Sequence, residues 1–212
     1  MRFFLFLQFI LLGGHILLCD SFVTPRHKKR FTKFLHMKKI NVYQPKTENQ
    51  QLYWNDLENS RNKLIIANGA AGTGKTLLAC QHAVKELFDG KIEKIVITRP
   101  VVPVEEEIGF LPGTLQKKMD PWTRPIMDIF NDFYSKTSIK NMLKEDAIEI
   151  SPLGFMRGRT FKNSIIIADE MQNSSPNQML MLLTRIGENS RIVITGDLKQ
   201  CDKDRSGLND LV

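Results

Sequence analysis

Eight consecutive residues, Gly69-Ala70-Ala71-Gly72-Thr73-Gly74-Lys75-Thr76, satisfy the pattern G-x-x-x-x-G-K-[ST] in full. Glycines in such a run let backbone N–H groups converge on phosphate oxygens. A helix opening at the end of the run adds the positive end of its dipole. Lys75 is placed to reach β- and γ-phosphates, and Thr76 to offer its hydroxyl to Mg²⁺. The chemistry implied is capture of a nucleoside triphosphate. The alternative is a tight strand-to-helix turn with no ligand.

Two further strings extend that chemistry. Ser164-Ile165-Ile166-Ile167-Ala168-Asp169-Glu170 is an apolar run ending in two acids. Downstream of a phosphate loop, Asp169 is expected to hold Mg²⁺ and Glu170 to orient or deprotonate the attacking water. Without that loop the same two acids would read as an exposed turn. Thr195-Gly196-Asp197-Leu198-Lys199-Gln200 also follows an apolar run. In helicase-like ATPases a strand ending Gly-Asp-x-x-Gln sets the Gln amide near the γ-phosphate, which makes Gln200 a candidate sensor. The Asp-Glu-x-Gln string at 169–172 occurs at the corresponding step in helicases of one superfamily.

These residues need elements to hold them. Short apolar runs at 64–67, 94–98, 165–168 and 191–195 read as strands, with a weaker one at 147–150. Residues 75–88 carry apolar side chains at helical spacing and stop at Gly90. Helices are also expected over 122–134, 138–145 and 177–186, starting from Asp120-Pro121, Ser138 and Pro176. Near-continuous apolar strands alternating with helices predict a three-layer α/β domain with a mostly parallel sheet. The order of the strands does not follow from the pattern.

The chain of 212 residues has a net charge of +7, which would ordinarily hint at nucleic acid. The distribution undoes the hint. Residues 1–47 hold nine Lys/Arg and one Asp, whereas residues 48–212 hold 21 basic and 22 acidic side chains. Residues 3–18 form an apolar run behind Arg2, with small residues Cys19 and Ser21 ahead of Phe22. This reads as a signal peptide over 1–21, the alternative being an uncleaved anchor. Residues 22–40 then form a basic, acid-free stretch like a transit peptide, the alternative being a disordered basic tail. The two-part address, with Phe22-Val23-Thr24-Pro25 at its junction, resembles that of algae with secondary plastids. Delivery to a plastid is the expectation, with secretion or membrane anchoring as the alternative and no span in the mature protein. Three Cys make no disulfide scaffold, and four scattered His show no metal-ligand spacing. Glu105-Glu106-Glu107 reads as a solvated loop.

The body, 41–212, resembles the PhoH-like ATPases, relatives of superfamily-one helicase motors. Beyond the three strings above, the resemblance is carried by Pro45-Lys46-Thr47 with Gln50, Thr98-Arg99-Pro100, Gly109-Phe110-Leu111-Pro112-Gly113, and Asp120-Pro121-Trp122 with Arg124-Pro125. Ser151-Pro152-Leu153, Phe155-Met156-Arg157-Gly158-Arg159-Thr160, Leu183-Thr184-Arg185 and Ser206-Gly207-Leu208 complete it. The resemblance implies ATP hydrolysis with Mg²⁺, a homo-oligomeric ring, and a link to RNA, either as a helicase or beside a ribonuclease. It gives Gln50 an adenine-reading role, against the plain alternative of a surface amide. Family members continue past Ser-Gly-Leu with a further strand and helix, so a domain lacking that C-terminal strand and helix is expected here.

Arg157 and Arg159 leave three readings open: an arginine finger to a neighbour's γ-phosphate, a grip on RNA phosphate, or a salt bridge holding the loop. Phe155, Met156 and Trp122 are read as core residues or as platforms for bases. For the whole chain the expectation is an active Mg²⁺-ATPase. The rival is a nucleotide-binding switch or assembly subunit without turnover. A small-molecule kinase shares the loop but not the Asp-Glu-x-Gln and Gly-Asp-x-x-Gln strings.

Overall fold

The computed structural model describes residues 43–100, 115–201 and 205–212. The leader, the Glu105–Glu107 run and the Gly109–Gly113 string lie outside the described residues, as does the side chain of Trp122. The described chain is anchored at its start, where the Tyr43 N–H donates to the Gln81 amide oxygen at 2.8 Å and the Tyr43 hydroxyl to Asp132 at 3.0 Å.

In chain order the elements are α1 (Glu48–Glu58), β1 (Leu64–Asn68), α2 (Lys75–Phe88), β2 (Lys94–Thr98), α3 (Leu115–Phe133), α4 (Lys136–Lys144), β3 (Ile148–Ile150), β4 (Ser164–Ala168), α5 (Pro176–Leu183) and β5 (Arg191–Gly196). Single 3-10 turns follow β3, β4 and β5 at Leu153–Met156, Met171–Asn173 and Leu198–Gln200. The five strands form one sheet in the order β1-β5-β4-β2-β3, and every pairing is parallel. All strand C-termini therefore lie on one edge. β5 sits between β1 and β4, so the loop and the two strand-end strings occupy three adjacent strands, about 4.8 Å apart.

Each strand alternates between two cores. Ile95, Ile97, Ile165, Ile167 and Val193 face a layer built from α1 to α4, with Leu57, Leu87, Phe130 and Met142 at its centre. Val96, Ile166, Ile192 and Ile194 face Leu153, Met156, Met179, Leu182 and Leu208. This is the three-layer α/β arrangement predicted. β4 and β5 are buried along their whole length, which is why they read as continuous apolar runs without alternation.

Four element boundaries differ from the sequence expectation. α1 was not expected at all; it starts from a Thr47/Gln50 capping box and buries only Leu57. α3 begins at Leu115 rather than 122 and runs through Pro121 and Pro125, both of which lack a backbone donor. Burying Ile126, Phe130 and Phe133 in the core, where α3 packs against α2, keeps that stretch helical. α4 starts after Ser135 and not at Ser138; the Ser135 hydroxyl accepts the Ser138 N–H at 3.1 Å. α5 ends at Leu183 instead of 186, where Arg185 turns back on the Met181 carbonyl and Ile186 bridges to Phe161.

Candidate functional site

The loop between β1 and α2 wraps around its own lysine. Gly72 and Gly74 hold φ of 75° and 83°, the left-handed region where a side chain would be strained. The Lys75 ammonium donates to the carbonyls of Gly69 (2.6 Å) and Ala70 (2.8 Å), so it spans the mouth of the loop. The Thr73 hydroxyl closes the same turn on Ala70 at 2.8 Å. From outside, the Gly69 N–H donates to the Gly196 carbonyl at 3.1 Å, tying the loop to β5. The first intrahelical bond of α2 is Leu78 N–H to Gly74 carbonyl. Helix geometry thus leaves the N–H groups of Lys75, Thr76 and Leu77 without an acceptor inside the helix, which is the anion-binding end.

At the end of β4, Asp169 is buried, and one carboxylate oxygen accepts two hydroxyls: Thr76 at 2.7 Å and Thr195 at 2.5 Å. Its own N–H donates to the Thr98 carbonyl, fixing it to β2. Glu170 follows with φ 54° and ψ 40°, a left-handed conformation that costs a non-glycine residue about 1 kcal/mol. Its carboxylate accepts the Gln172 amide N–H at 2.6 Å. At the end of β5, the Asp197 N–H donates to the Gln172 amide oxygen at 3.1 Å, and the Asp197 carboxylate accepts the Lys199 N–H at 3.0 Å. Gln200 stands exposed at the end of that turn.

Between these parts lies a cleft of about 280 Å³. It brings together Lys75, Thr76, Asp169, Glu170, Asp197 and Gln200 with Ala71, Gly72 and Gly74 of the loop. Five of the residues expected to act on a triphosphate therefore face one space.

The remaining candidates lie elsewhere. Gln50 sits behind the loop. Its amide oxygen accepts the Lys46 and Thr47 N–H groups at 2.7 and 3.3 Å, and its amide N–H donates to the Thr73 carbonyl at 3.0 Å. In this state it caps α1 and steadies the loop. Arg159 is committed to Glu149 through two hydrogen bonds of 2.5 and 3.0 Å and lies 4.6 Å over the Phe161 ring. Arg185 donates to the Arg159 and Met181 carbonyls, at 2.9 and 3.0 Å. Arg157 is exposed and has no partner among the described residues, and Phe155 beside it is 62% exposed. Met156 is core. Among the described residues Cys80 and Cys201 form no disulfide, and Cys80 is fully buried, its thiol pushed up by burial.

Sequence reasoning did not assign site roles to Thr195, Asp197 and Gln172. The first two fall inside the Thr-Gly-Asp string. Gln172 was visible as the Gln of Asp-Glu-x-Gln, but its two partners lie on different strand ends, a relation that no spacing encodes.

A parallel sheet with a complete phosphate loop, whose threonine bonds to the acid ending the third strand along, defines a nucleotide-binding P-loop NTPase domain. The PhoH-like protein family model matches residues 42–212. A PhoH-like protein of Bacillus subtilis is 43% identical over 176 residues, covering 83% of this chain and 54% of that protein. A PhoH-like protein of Mycobacterium tuberculosis is 43% identical over 167 residues (77% and 47%), and the protein PhoH of Escherichia coli K12 is 40% identical over 153 (70% and 43%). The chain belongs to the PhoH-like protein family. It spans about half the length of the curated relatives it matches.

Proposed function

We propose that the chain binds ATP with Mg²⁺, hydrolyses it, and couples turnover to RNA remodelling or to RNA processing beside a ribonuclease, as a homo-oligomeric ring. The observation that carries the hydrolytic reading is the contact of Thr76 with Asp169 inside a cleft that also holds Lys75 and Glu170. A hydroxyl and a carboxylate oxygen converging at 2.7 Å are hard donors of the kind Mg²⁺ takes. Among the described residues no group of three or more His, Cys, Asp or Glu could hold a metal unaided. Thr76 and Asp169 would therefore hold Mg²⁺ together with phosphate oxygens, where it would neutralise charge on the β- and γ-phosphates.

The chain's own residues do the rest. Loop N–H groups and the start of α2 take the phosphates, and Lys75 exchanges the Gly69 and Ala70 carbonyls for β- and γ-phosphate oxygens. Glu170 accepts a proton from water as the water oxygen bonds to the γ-phosphorus and the bond to the bridging oxygen breaks, releasing ADP. Gln200 contacts the γ-phosphate. Gln50 reads the adenine edge once its amide leaves the loop backbone. The RNA link is supported by the helicase resemblance and by the exposed Phe155–Arg157 tip. Arg157 serves as the phosphate-gripping residue or the finger, while Arg159 braces the loop beneath it.

The test is phosphate release from Mg²⁺-ATP by the full chain, with and without single-stranded RNA, and with Lys75→Ala as blank. RNA-stimulated release supports the motor reading. ATP binding without release supports the switch reading. Plastid delivery by the two-part leader is proposed alongside. Imaging of a leader–fluorescent protein fusion separates it from secretion or anchoring. Among the described residues no helix is long and apolar enough to cross a membrane.

A further inference from the structure

Gln172 is 1% exposed and lines no part of the cleft, yet it touches both halves of the machinery that does. Its amide N–H donates to the Glu170 carboxylate at 2.6 Å, and its amide oxygen accepts the Asp197 N–H at 3.1 Å. The orientation of the amide is dictated by these partners. A carboxylate can only accept and a backbone N–H can only donate, so a flipped amide would lose both bonds. The backbone adds a third tie, because the Gln172 carbonyl accepts the Cys201 thiol at 3.2 Å. The turn that carries Gln200 is thus held at both ends, Asp197 and Cys201, by one residue. Inside the turn the Gln200 N–H donates to the Asp197 carbonyl at 3.0 Å. The close approach explains Gly196: a Cβ there would stand 2.9 Å from the Gln172 amide oxygen and 2.5 Å from Leu208.

We propose that Gln172 is a positioning residue that locks the Glu170 carboxylate and the Asp197–Gln200 turn into one unit. A γ-phosphate drawing on Gln200 then moves the proton acceptor with it. Glu170 needs such a lock. Its backbone is strained, its side chain is only partly buried, and the amide fixes which way the carboxylate faces. This proposal rests on the ATP-hydrolysing reading, and it deepens that reading by naming how nucleotide state reaches the base.

The experiment compares Gln172→Met, which keeps volume and loses both bonds, with Gln172→Glu, which keeps the acceptor for Asp197 but sets a carboxylate against Glu170. In Gln172→Met, kcat falls by about 10- to 100-fold while KM for Mg²⁺-ATP stays within about threefold, as for a misplaced catalytic group. In Gln172→Glu the loss is similar at pH 8 and shrinks as the pH is lowered towards 5.5. The introduced carboxyl, once protonated, has one donor and one acceptor like the amide. A merely structural role gives no such acid rescue, so its absence overturns the proposal, as does a Gln172→Met kcat within twofold of the parent.

A readout without turnover separates this idea from the ATPase reading, which the wild-type rate over the Lys75→Ala blank decides alone. Hydrogen exchange at the Asp197 amide should quicken in Gln172→Met and in Glu170→Ala. Unchanged protection in Glu170→Ala shows that the two strand ends are independent and overturns the proposal even if ATP is hydrolysed.

Discussion

The Thr76 hydroxyl meets the Asp169 carboxylate at 2.7 Å across 93 residues of sequence, joining the first turn of α2 to the end of β4. The contact exists because β5 lies between β1 and β4 and adds its own Thr195 hydroxyl to the same oxygen. The hydroxyl hydrogens hold Asp169 in place, and in the proposed reaction Mg²⁺ would be held at this same oxygen. Thr76→Val keeps the shape and deletes the donor, whereas Thr76→Ser keeps the donor. The valine variant should need about 10- to 100-fold more Mg²⁺ for half-maximal phosphate release, in line with the usual cost of losing a metal-site partner. The serine variant should track the parent. Equal Mg²⁺ requirements in all three would remove Thr76 from the metal site.

Of the two acids that end β4, Asp169 is committed to two hydroxyls, whereas the Glu170 carboxylate accepts the Gln172 amide N–H. The proposed role of proton acceptor therefore falls to Glu170. Glu170→Gln should bind a fluorescent ATP analogue with affinity near the parent and lose about 10²- to 10⁴-fold in turnover, the usual contribution of a general base. Lys75→Ala should instead lose binding. A Glu170→Gln protein that releases phosphate at the original rate would show that another group takes the proton.

Arg157 and Arg159 are two residues apart and physically unlike. Arg159 forks onto Glu149, which Lys94 also reaches at 2.9 Å. The two cations hold the Glu149 carboxyl below the usual carboxylate range against the opposing push of burial. Arg159→Ala should therefore lower stability by about 1 kcal/mol, the scale of a partly exposed but bidentate pair. Arg157→Ala should leave unfolding within about 0.5 kcal/mol of the parent, as for an unengaged surface residue. As an RNA grip its loss should also abolish any RNA stimulation and spare basal turnover, whereas as a finger its loss should cut basal turnover as well. Urea melts and RNA titrations of both variants check this; RNA stimulation that survives Arg157→Ala excludes the tip as the RNA grip.

What could be read from the chain was what is local. The phosphate loop is a contiguous string, and β4 and β5 announce themselves because burial on both faces makes them apolar throughout. α1 escaped because its signal is polar: a Thr47/Gln50 box with Leu57 as its buried residue offers no apolar stripe. The start of α3 was hidden by Pro121 and Pro125, which read as punctuation until packing against α2 supplies a reason to stay helical. Gly207 appears in the sequence only as part of a string. In the fold its N–H donates to the Ser174 carbonyl at 2.7 Å, and a Cβ would stand 2.6 Å from the Ser175 carbonyl oxygen. The strand order β1-β5-β4-β2-β3 was illegible because pairing is decided between residues far apart in the chain, from Ile165 with Arg191 to Leu64 with Ile192. The Gln172 relay was illegible because Asp197, 25 positions away, ends a different strand, and which strands lie side by side is not written in the spacing.

His82 lies on the buried side of α2, at the end of the sheet away from the phosphate loop, and its titration should shape stability in mild acid. It is 1% exposed. The Arg191 guanidinium lies 2.6 Å from Nε2; because Arg only donates, Nε2 accepts and the ring proton sits on Nδ1, which has no hydrogen-bond partner. The groups around it are Glu58, 3.6 Å from Nδ1, with Lys85 paired to Glu58 at 2.8 Å. Glu86 pairs with Lys91 at 2.7 Å and stands 3.7 Å from Arg191, and the Trp54 ring meets the imidazole edge-on. Burial first, and then Arg191, push the His82 pKa down from 6.5 to about 4, with Glu86 and Glu58 opposing in part. Above pH 6.5 neither the folded nor the unfolded chain protonates this ring. Between 6.5 and about 4 the unfolded chain takes the proton and the folded chain refuses it, so stability falls as pH falls; below 4 the loss levels off. The full effect is about 3 kcal/mol by the standard conversion of a pKa difference. Burial would raise the Glu58 carboxyl, but Lys85 outweighs it and holds the group below its ordinary value, so its own contribution is lost as the pH falls through and below the ordinary carboxylate range. His82→Gln can still accept from Arg191 but has nothing to titrate. Urea unfolding of the full chain from pH 7.5 to 4.5 should show a decline for the parent and a nearly flat line for His82→Gln, and parallel lines would place the acid sensitivity elsewhere.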